Sequence, residues 1–230
     1  MDRWELIAFI ILTVGILIDI DLTFFSIMAI VSLIIIWRKV RRDVIYLFLL
    51  AALIGFLFEK LGITTGIPFG RYQYNFPPYF LGVPIFVIMG WAIFSFISYL
   101  PIMYFPRTIK IALFPIMMVT IDLSVDPIMV TAGFWKWEYS FMDWHGIPLT
   151  NFIGWYIVSL VIIVAFLTLF HEDIKAKKAK ANLFTIDYFL FSLNFLIYAK
   201  PQLLIPLLVG TLVSLSLTLL IFLLSTRVKT

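Results

Sequence analysis

The sequence predicts an all-α integral membrane protein: one polytopic domain, residues 1–230, with about eight transmembrane helices and an internal repeat. The composition is the first observation behind this prediction. Hydrophobic residues make up 63% of the chain and charged residues 13%, whereas soluble domains carry about a quarter charged residues. The second is a series of apolar runs, and the third is an uneven distribution of Lys and Arg between them. These observations exclude a soluble domain with an unusually apolar core.

Eight apolar runs are candidate spans, because a helix needs about 20 apolar residues to cross a bilayer. They are approximately Trp4–Ile18, Leu22–Trp37, Val44–Phe58, Tyr79–Met103, Ile111–Val130, Phe152–Phe170, Leu183–Tyr198 and Leu203–Leu224. The first two are short, and we expect a tight hairpin between them through Ile18–Asp21. The first run resembles a signal peptide, but Asp19 and Asp21 stand where a cleavage site needs small residues. We therefore expect a retained helix.

The basic residues orient these spans, because cytoplasmic loops collect Lys and Arg. With a cytoplasmic N-terminus, thirteen of the 17 basic residues fall on inner segments and four on outer ones. The outer four are Lys60, Arg71, Lys136 and Lys200; the inner ones are Arg3, Arg38, Lys39, Arg41, Arg42, Arg107, Lys110, Lys175, Lys177, Lys178, Lys180, Arg227 and Lys229. The sequence predicts a multi-pass protein of the cell membrane with both termini cytoplasmic. The net charge of +4 then reflects topology, and no nucleic-acid partner is expected.

Two predicted outer loops share one pattern of glycine, aromatic and proline residues. Both read G-x-[YW]-x-[YW], then G-[VI]-P, then G-W. The matched segments are 70–74 with 133–137, 82–84 with 146–148, and 90–91 with 154–155. Eleven residues before the first glycine of each pattern lies a carboxylate, Glu59 or Asp122. The sequence predicts a parallel repeat of residues 44–104 and 108–170, helices three and four matching five and six about a pseudo-two-fold axis. The alternative is a chance match between interfacial loops of similar composition.

Three acidic residues within the spans are candidate catalytic residues, since intramembrane acids are costly and usually functional. They are Glu59, Asp122 and Asp126. Asp122 and Asp126 are four residues apart and share one helix face. Carboxyl groups clustered away from water cannot all ionise, so we expect a protonated acid beside an ionised base. The alternatives are that Glu59 pairs with Lys60 or Arg71 and that Asp126 caps a loop.

Aromatic residues of the two patterns, together with Arg71 and Asn151, form the candidate substrate-binding set. Their faces can stabilise a carbocation or bind a flat polyene, although interfacial anchoring would also explain some of them. The set comprises Arg71, Tyr72, Tyr74, Trp91, Trp135, Trp137, Asn151 and Trp155. The chain has no cysteine, no histidine spacing typical of a metal site and no glycine-rich phosphate loop. We therefore expect neither a metal nor a cofactor.

These motifs resemble those of the carotenoid hydratase family, which includes bisanhydrobacterioruberin hydratase and the CruF-type carotenoid 1,2-hydratases. The resemblance covers about residues 44–170. It is carried by segments 59–74, 82–84, 126–127, 133–137 and 146–155.

The resemblance implies an enzyme that adds water to the terminal double bond of an acyclic carotenoid, giving a tertiary alcohol without a cofactor. The implied partners are the carotenoid substrate and membrane lipids, with other carotenoid-pathway enzymes as candidates. Intramembrane acids and a parallel repeat would also suit a transporter or a lipid- or pigment-binding protein. A retinal photoreceptor is disfavoured, because it needs a lysine in mid-span and Lys200 lies at a span end.

Overall fold

The computed structural model describes residues 2–18, 22–138, 142–170, 181–197 and 199–227. Several features predicted from sequence lie outside these ranges. They are the hairpin turn at Asp19 and Asp21, the end of the seventh span at Tyr198, and the inner basic residues Lys175, Lys177, Lys178, Lys180 and Lys229.

The described chain forms eight α-helices and six short strands. The helices are α1 Arg3–Leu17, α2 Leu22–Ile35, α3 Val44–Thr65, α4 Ile85–Tyr99, α5 Arg107–Thr131, α6 Leu149–Leu169, α7 Phe184–Ile197 and α8 Leu204–Arg227. A π-helical turn, Ile36–Val40, extends α2, and 3₁₀ turns extend α4 and precede α8. The strands are β1 Tyr72–Tyr74, β2 Tyr79–Phe80, β3 Val83–Pro84, β4 Trp135–Trp137, β5 Asp143–Trp144 and β6 Ile147–Pro148.

Six of the helical segments are long and apolar enough to cross a membrane, which supports a multi-pass membrane protein. They are Thr23–Val40, Val44–Thr65, Ile85–Ile102, Arg107–Thr131, Leu149–Leu169 and Pro201–Thr226. The other two helices, α1 with 15 residues and α7 with 14, are shorter than a usual span. Spans at α1 and α7, and the orientation of the termini, stay predictions.

The predicted start of the fourth span was wrong. Residues 79–84 form the hairpin β2–β3, and α4 begins only at Ile85. Prolines at 77, 78 and 84 and the left-handed backbone of Gly82 oppose a helix here. At the opposite boundary, α3 continues past the predicted end at Phe58 to Thr65. Glu59 therefore lies inside a helix.

Four helices, α3 to α6, form the centre of the fold. Helix α3 packs against α4 and α6, and α5 packs against α4 and α6. The pair α1–α2 and the pair α7–α8 flank this group, with α7 against α1 and α8 against α5. The opposite face of α3 carries the exposed residues Leu49, Leu53 and Leu57 at intervals of four, which is the spacing of one helix face. This face is suited to lipid.

The loops before α4 and α6 share two features, a strand that pairs with the other loop and a hairpin with a left-handed turn. Strands β1 and β4 pair with each other in antiparallel register, with Tyr72 opposite Trp137 and Tyr74 opposite Trp135. The turns of hairpins β2–β3 and β5–β6 each contain two consecutive residues with positive φ, Leu81–Gly82 and His145–Gly146. The G-x-[YW]-x-[YW] motifs of the two loops thus pair with each other, whereas each G-[VI]-P motif lies in a hairpin of its own loop. The repeat itself remains a prediction.

Candidate active site

Glu59 lies on the buried face of α3, where three aromatic side chains donate hydrogen bonds to it. The hydroxyls of Tyr72 and Tyr74 donate to Oε2 at 2.6 and 2.7 Å, and Trp91 Nε1 donates to Oε1 at 2.9 Å. The expected alternative, pairing of Glu59 with Lys60 or Arg71, does not occur. Lys60 Nζ instead donates to the carbonyl oxygen of Leu81 at 2.9 Å.

Two glycines of α3 make room for the aromatic donors. Gly55 lies one turn before Glu59, and a Cβ at this position would collide with the indole of Trp91. Gly62 lies about one turn after Glu59, and a Cβ there would collide with the hydroxyl of Tyr72. Since i−4 and i+3 positions share a helix face, the two glycines bring both rings close to the carboxylate.

Asp122 and Asp126 form a second acidic group on α5, held by one amide. Asn151, in the first turn of α6, donates from Nδ2 to Asp122 Oδ2 at 2.9 Å and to Asp126 Oδ2 at 2.6 Å. All three side chains are buried. Within the described residues, Asp122 Oδ1 has no hydrogen-bond partner. The expected alternative, a loop-capping role for Asp126, does not occur, because α5 continues through Pro127 to Thr131.

The hydrogen bonds distinguish the two acidic groups electrostatically. Glu59 accepts from three donors, which favours its ionised form, whereas two carboxyl groups on one amide in a site shielded from water disfavour double ionisation. Burial, and after it the Glu59 carboxylate, raises the pKa of Tyr72 and of Tyr74 well above the ordinary tyrosine value. Both tyrosines are therefore neutral hydroxyl donors.

Four aromatic rings of the paired strands lie against one another beside Glu59. The ring centroids of Tyr72 and Trp137 are 5.8 Å apart, and those of Tyr74 and Trp135 are 5.6 Å apart. The intervening Gln73 and Lys136 are exposed, as the alternation of side chains along a strand requires. The strand pair therefore presents its rings to one side.

Most of the predicted site residues line a single cleft of about 480 Å³. From the predicted set these are Glu59, Tyr72, Tyr74, Trp91, Asp126, Trp135, Trp137, Asn151 and Trp155. Asp122 lies outside this lining and is joined to it through Asn151. Arg71 is exposed and lies outside the lining as well.

Six further residues that line the cleft were not predicted. They are Phe69, Phe86, Val87, Gly90, Phe94 and Val125. Apolar residues of a span look alike in sequence whether they face lipid or a cavity, since lipid tails are as apolar as Leu. Only Gly90, as part of the G-W motif, carried a signal. Within the described residues, no group of three or more His, Cys, Asp or Glu side chains could hold a metal ion.

Comparison with known protein families gives a match over most of the chain. The sequence model of a family described as carotenoid biosynthesis protein matches residues 18–219. No curated protein and no solved structure matches the chain.

Proposed function

Because the chain belongs to the carotenoid biosynthesis protein family, we propose that it hydrates the terminal double bond of an acyclic, bisanhydrobacterioruberin-like carotenoid to a tertiary alcohol. The observation that carries this proposal is the pairing of two acidic groups in one cleft. Glu59 and Asp126 both line it, and aromatic rings form most of the remaining wall. Addition of water to an unactivated alkene needs an acid, a base and a shielded cation, and this cleft offers a group for each.

Asp126, with Asp122 beside it, is the proposed acid. Asn151 holds the two carboxyl groups together, which supports retention of one proton by the pair. Asp126 lines the cleft, whereas Asp122 does not, so Asp126 is the member that can reach an alkene. Asp122 then positions the Asp126 carboxyl group and shares its proton.

Glu59 is the proposed base. Its three donors, Tyr72, Tyr74 and Trp91, stabilise a carboxylate in an apolar site. A carboxylate in the cleft can accept a proton from water, and it also attracts the positive charge that forms on the substrate.

The proposed reaction is balanced without an electron carrier. The proton of the acid pair adds to the CH carbon of the terminal double bond, and the π electrons form the new C–H bond. The dimethyl carbon becomes a tertiary cation, which the aromatic faces stabilise by about 2 kcal/mol or more each when desolvated. A water oxygen bonds to this carbon and gives one proton to Glu59. Transfer of that proton back to the acid pair through solvent leaves a net addition of one water molecule.

The test is expression in a host that accumulates acyclic carotenoids, followed by mass analysis of the pigments. Glu59→Gln, Asp126→Asn and Asp122→Asn keep the size of the side chain but replace an acidic group with an amide. Each should lower hydration about 100-fold or more, which is the usual contribution of a general acid or base. Glu138→Gln, at an exposed position after β4, is the control and should hydrate normally.

Two outcomes would overturn the proposal. One is wild-type turnover in all three acid variants while the protein inserts and purifies normally. The other is a product whose new oxygen comes from dioxygen, which would indicate a hydroxylase. A pigment that copurifies with the wild-type protein at unchanged mass would favour the alternative, a pigment-binding protein.

A further inference from the structure

The acidic cleft borders a second, larger cavity. The two share Phe86, Gly90, Phe94 and Val125 in their walls. The second cavity has a volume of about 740 Å³ and lies where α1 and α2 face α4, α5 and α7. We call it the apolar groove. Within the described residues, no Asp, Glu, Lys or Arg lines it.

Aromatic rings form one side of the apolar groove. Phe25 and Phe191 stack with centroids 5.2 Å apart, and Phe191 lies 5.9 Å from Phe94 and 4.7 Å from Phe195. All four residues line the groove. A row of rings beside a long uncharged space suits a flat conjugated chain better than a polar solute.

We propose that the apolar groove binds the polyene chain of the substrate, while its terminal isoprenoid unit enters the acidic cleft past Gly90. This inference rests on the proposed function for the identity of the ligand. Only the end of a long apolar molecule has to reach Glu59 and Asp126 in the cleft, and the rest of the molecule must continue through an opening that is itself apolar. We place this opening at Gly90, in the wall that the cleft shares with the groove.

The two G-W motifs differ in the space around their glycines. We infer from this difference the side from which the polyene chain enters the cleft. A Cβ at Gly154 would lie 2.6 Å from Phe69 Cδ1 and 3.1 Å from Pro68 Cγ, so its surroundings are filled. A Cβ at Gly90 would meet only Phe94 Cε2, at 3.6 Å, an ordinary contact. Gly90 thus borders open space on the α4 side, and Gly154 does not on the α6 side. The geometry therefore admits one chain end, from the side of α4.

Two substitutions test the groove separately from the chemistry. Gly90→Leu narrows the passage between groove and cleft, and Ile93→Trp fills the groove at a residue that does not line the cleft. Two quantities are measured. One is the amount of lycopene that copurifies per protein in a Glu59→Gln background, which removes the proposed base, and the other is carotenoid hydration in the wild-type background. Leu53→Trp, on the exposed face of α3, is the matched control.

Ile93→Trp should reduce lycopene retention about tenfold or more, since excluding a few apolar carbons costs that much affinity. Gly90→Leu should abolish hydration when it is introduced alone into the wild-type chain, in which Glu59 is intact, whether or not lycopene is retained. Leu53→Trp should match its parent in both measurements. Gly90→Ala, a smaller change at the same position, should lower hydration less than Gly90→Leu does. A loss that grows with side-chain size distinguishes a blocked passage from a failure to fold.

The outcomes separate the two proposals. Lycopene retention at the parental level in Ile93→Trp, together with normal hydration in Gly90→Leu, would overturn the groove and leave the hydratase standing. Retention that falls in Ile93→Trp, with no hydration by the wild-type protein, would support the groove and overturn the hydratase.

Discussion

The indole rings of Trp91 and Trp155 stack with their centroids 4.2 Å apart and their planes inclined by 22°. The two residues hold matching positions in the two G-W motifs, and both line the cleft. Trp91 also donates from Nε1 to Glu59. The stacked pair therefore joins α4 to α6 and fixes the ring that holds the proposed base.

The first prediction concerns this support. Gly55→Ala places a methyl group where the Trp91 indole packs, so the ring must move away from Glu59. A misplaced catalytic group can cost about 100-fold in rate, and we expect a loss of that order in turnover. The measurement is carotenoid hydration by purified protein. Leu57→Ala, on the exposed face of the same helix, is the control, and an equal loss in both variants would rule out a specific role for Trp91.

The second prediction concerns the origin of the added atoms. In heavy water the product should gain one carbon-bound deuterium on the carbon next to the tertiary alcohol carbon, because the alkene is protonated from solvent through a carboxyl group. In ¹⁸O-labelled water the hydroxyl should carry the label. Mass analysis of the product measures both. A labelled hydroxyl without carbon-bound deuterium would exclude protonation by an exchangeable acid.

The third prediction concerns pH and the stability of the strand pair. The pKa of Tyr72 is raised in the folded protein by burial and by Glu59. A raised tyrosine pKa contributes stability that is present in full below the unfolded value of about 10 and declines as the pH rises above it. Wild-type protein should therefore lose stability above about pH 10 more steeply than Tyr72→Phe. Thermal unfolding of the detergent-solubilised protein between pH 8 and 11 measures this.

The control for this pH series is Tyr156→Phe, which changes an exposed tyrosine of α6. It should follow the wild-type curve. Parallel curves for wild type and Tyr72→Phe would mean that the Tyr72 hydroxyl titrates alike in the folded and unfolded chains.

We propose that residues 44–104 and 108–170 are related by a pseudo-two-fold axis. The support is the reciprocal register of β1 and β4 and the stacking of Trp91 on Trp155. Further support comes from the hairpin turns, in which Leu81 and His145 have φ of 48° and 52°.

The fourth prediction tests the equivalence of these turns. Left-handed backbone is costly for most residues other than Gly and Asn, and Asn-Gly is the preferred pair in a two-residue hairpin turn. Leu81→Asn and His145→Asn should each raise stability by roughly 0.5–1 kcal/mol. Denaturation of the purified protein measures the gain. Phe80→Asn, one residue earlier in β2, should bring no gain, and opposite signs for Leu81→Asn and His145→Asn would argue against equivalent turns.

The fifth prediction concerns topology. The chain has no native cysteine, so each introduced cysteine is a unique label. With both termini cytoplasmic, a cysteine at Thr65 or Ser140 should react with an impermeant thiol reagent from outside. One at Ala179 should react only after permeabilisation; Ser140 and Ala179 lie outside the described residues. Labelling of Thr65 and Ala179 from the same side would contradict the eight-span topology.

The sequence alone determined the class of the protein and most of the candidate site. Hydropathy and the spacing of Lys and Arg are local properties of the sequence, and they were enough to predict a protein of several membrane-spanning helices. Glu59 and Asp126 stood out because an acid in an apolar span is conspicuous. The aromatic residues stood out because they recur in two similar motifs.

Only the tertiary structure decided which side chains hold each of the three acidic residues. Asn151 joins Asp122 and Asp126 across two helices, and Trp91 reaches Glu59 from a third; neither contact has a signature in local sequence. The apolar groove likewise has no signature in the sequence. Its walls are apolar residues of spans, and in a lipid environment a cavity-facing side chain and a lipid-facing side chain can be chemically the same. Whether such a residue meets lipid or substrate depends on how the helices pack.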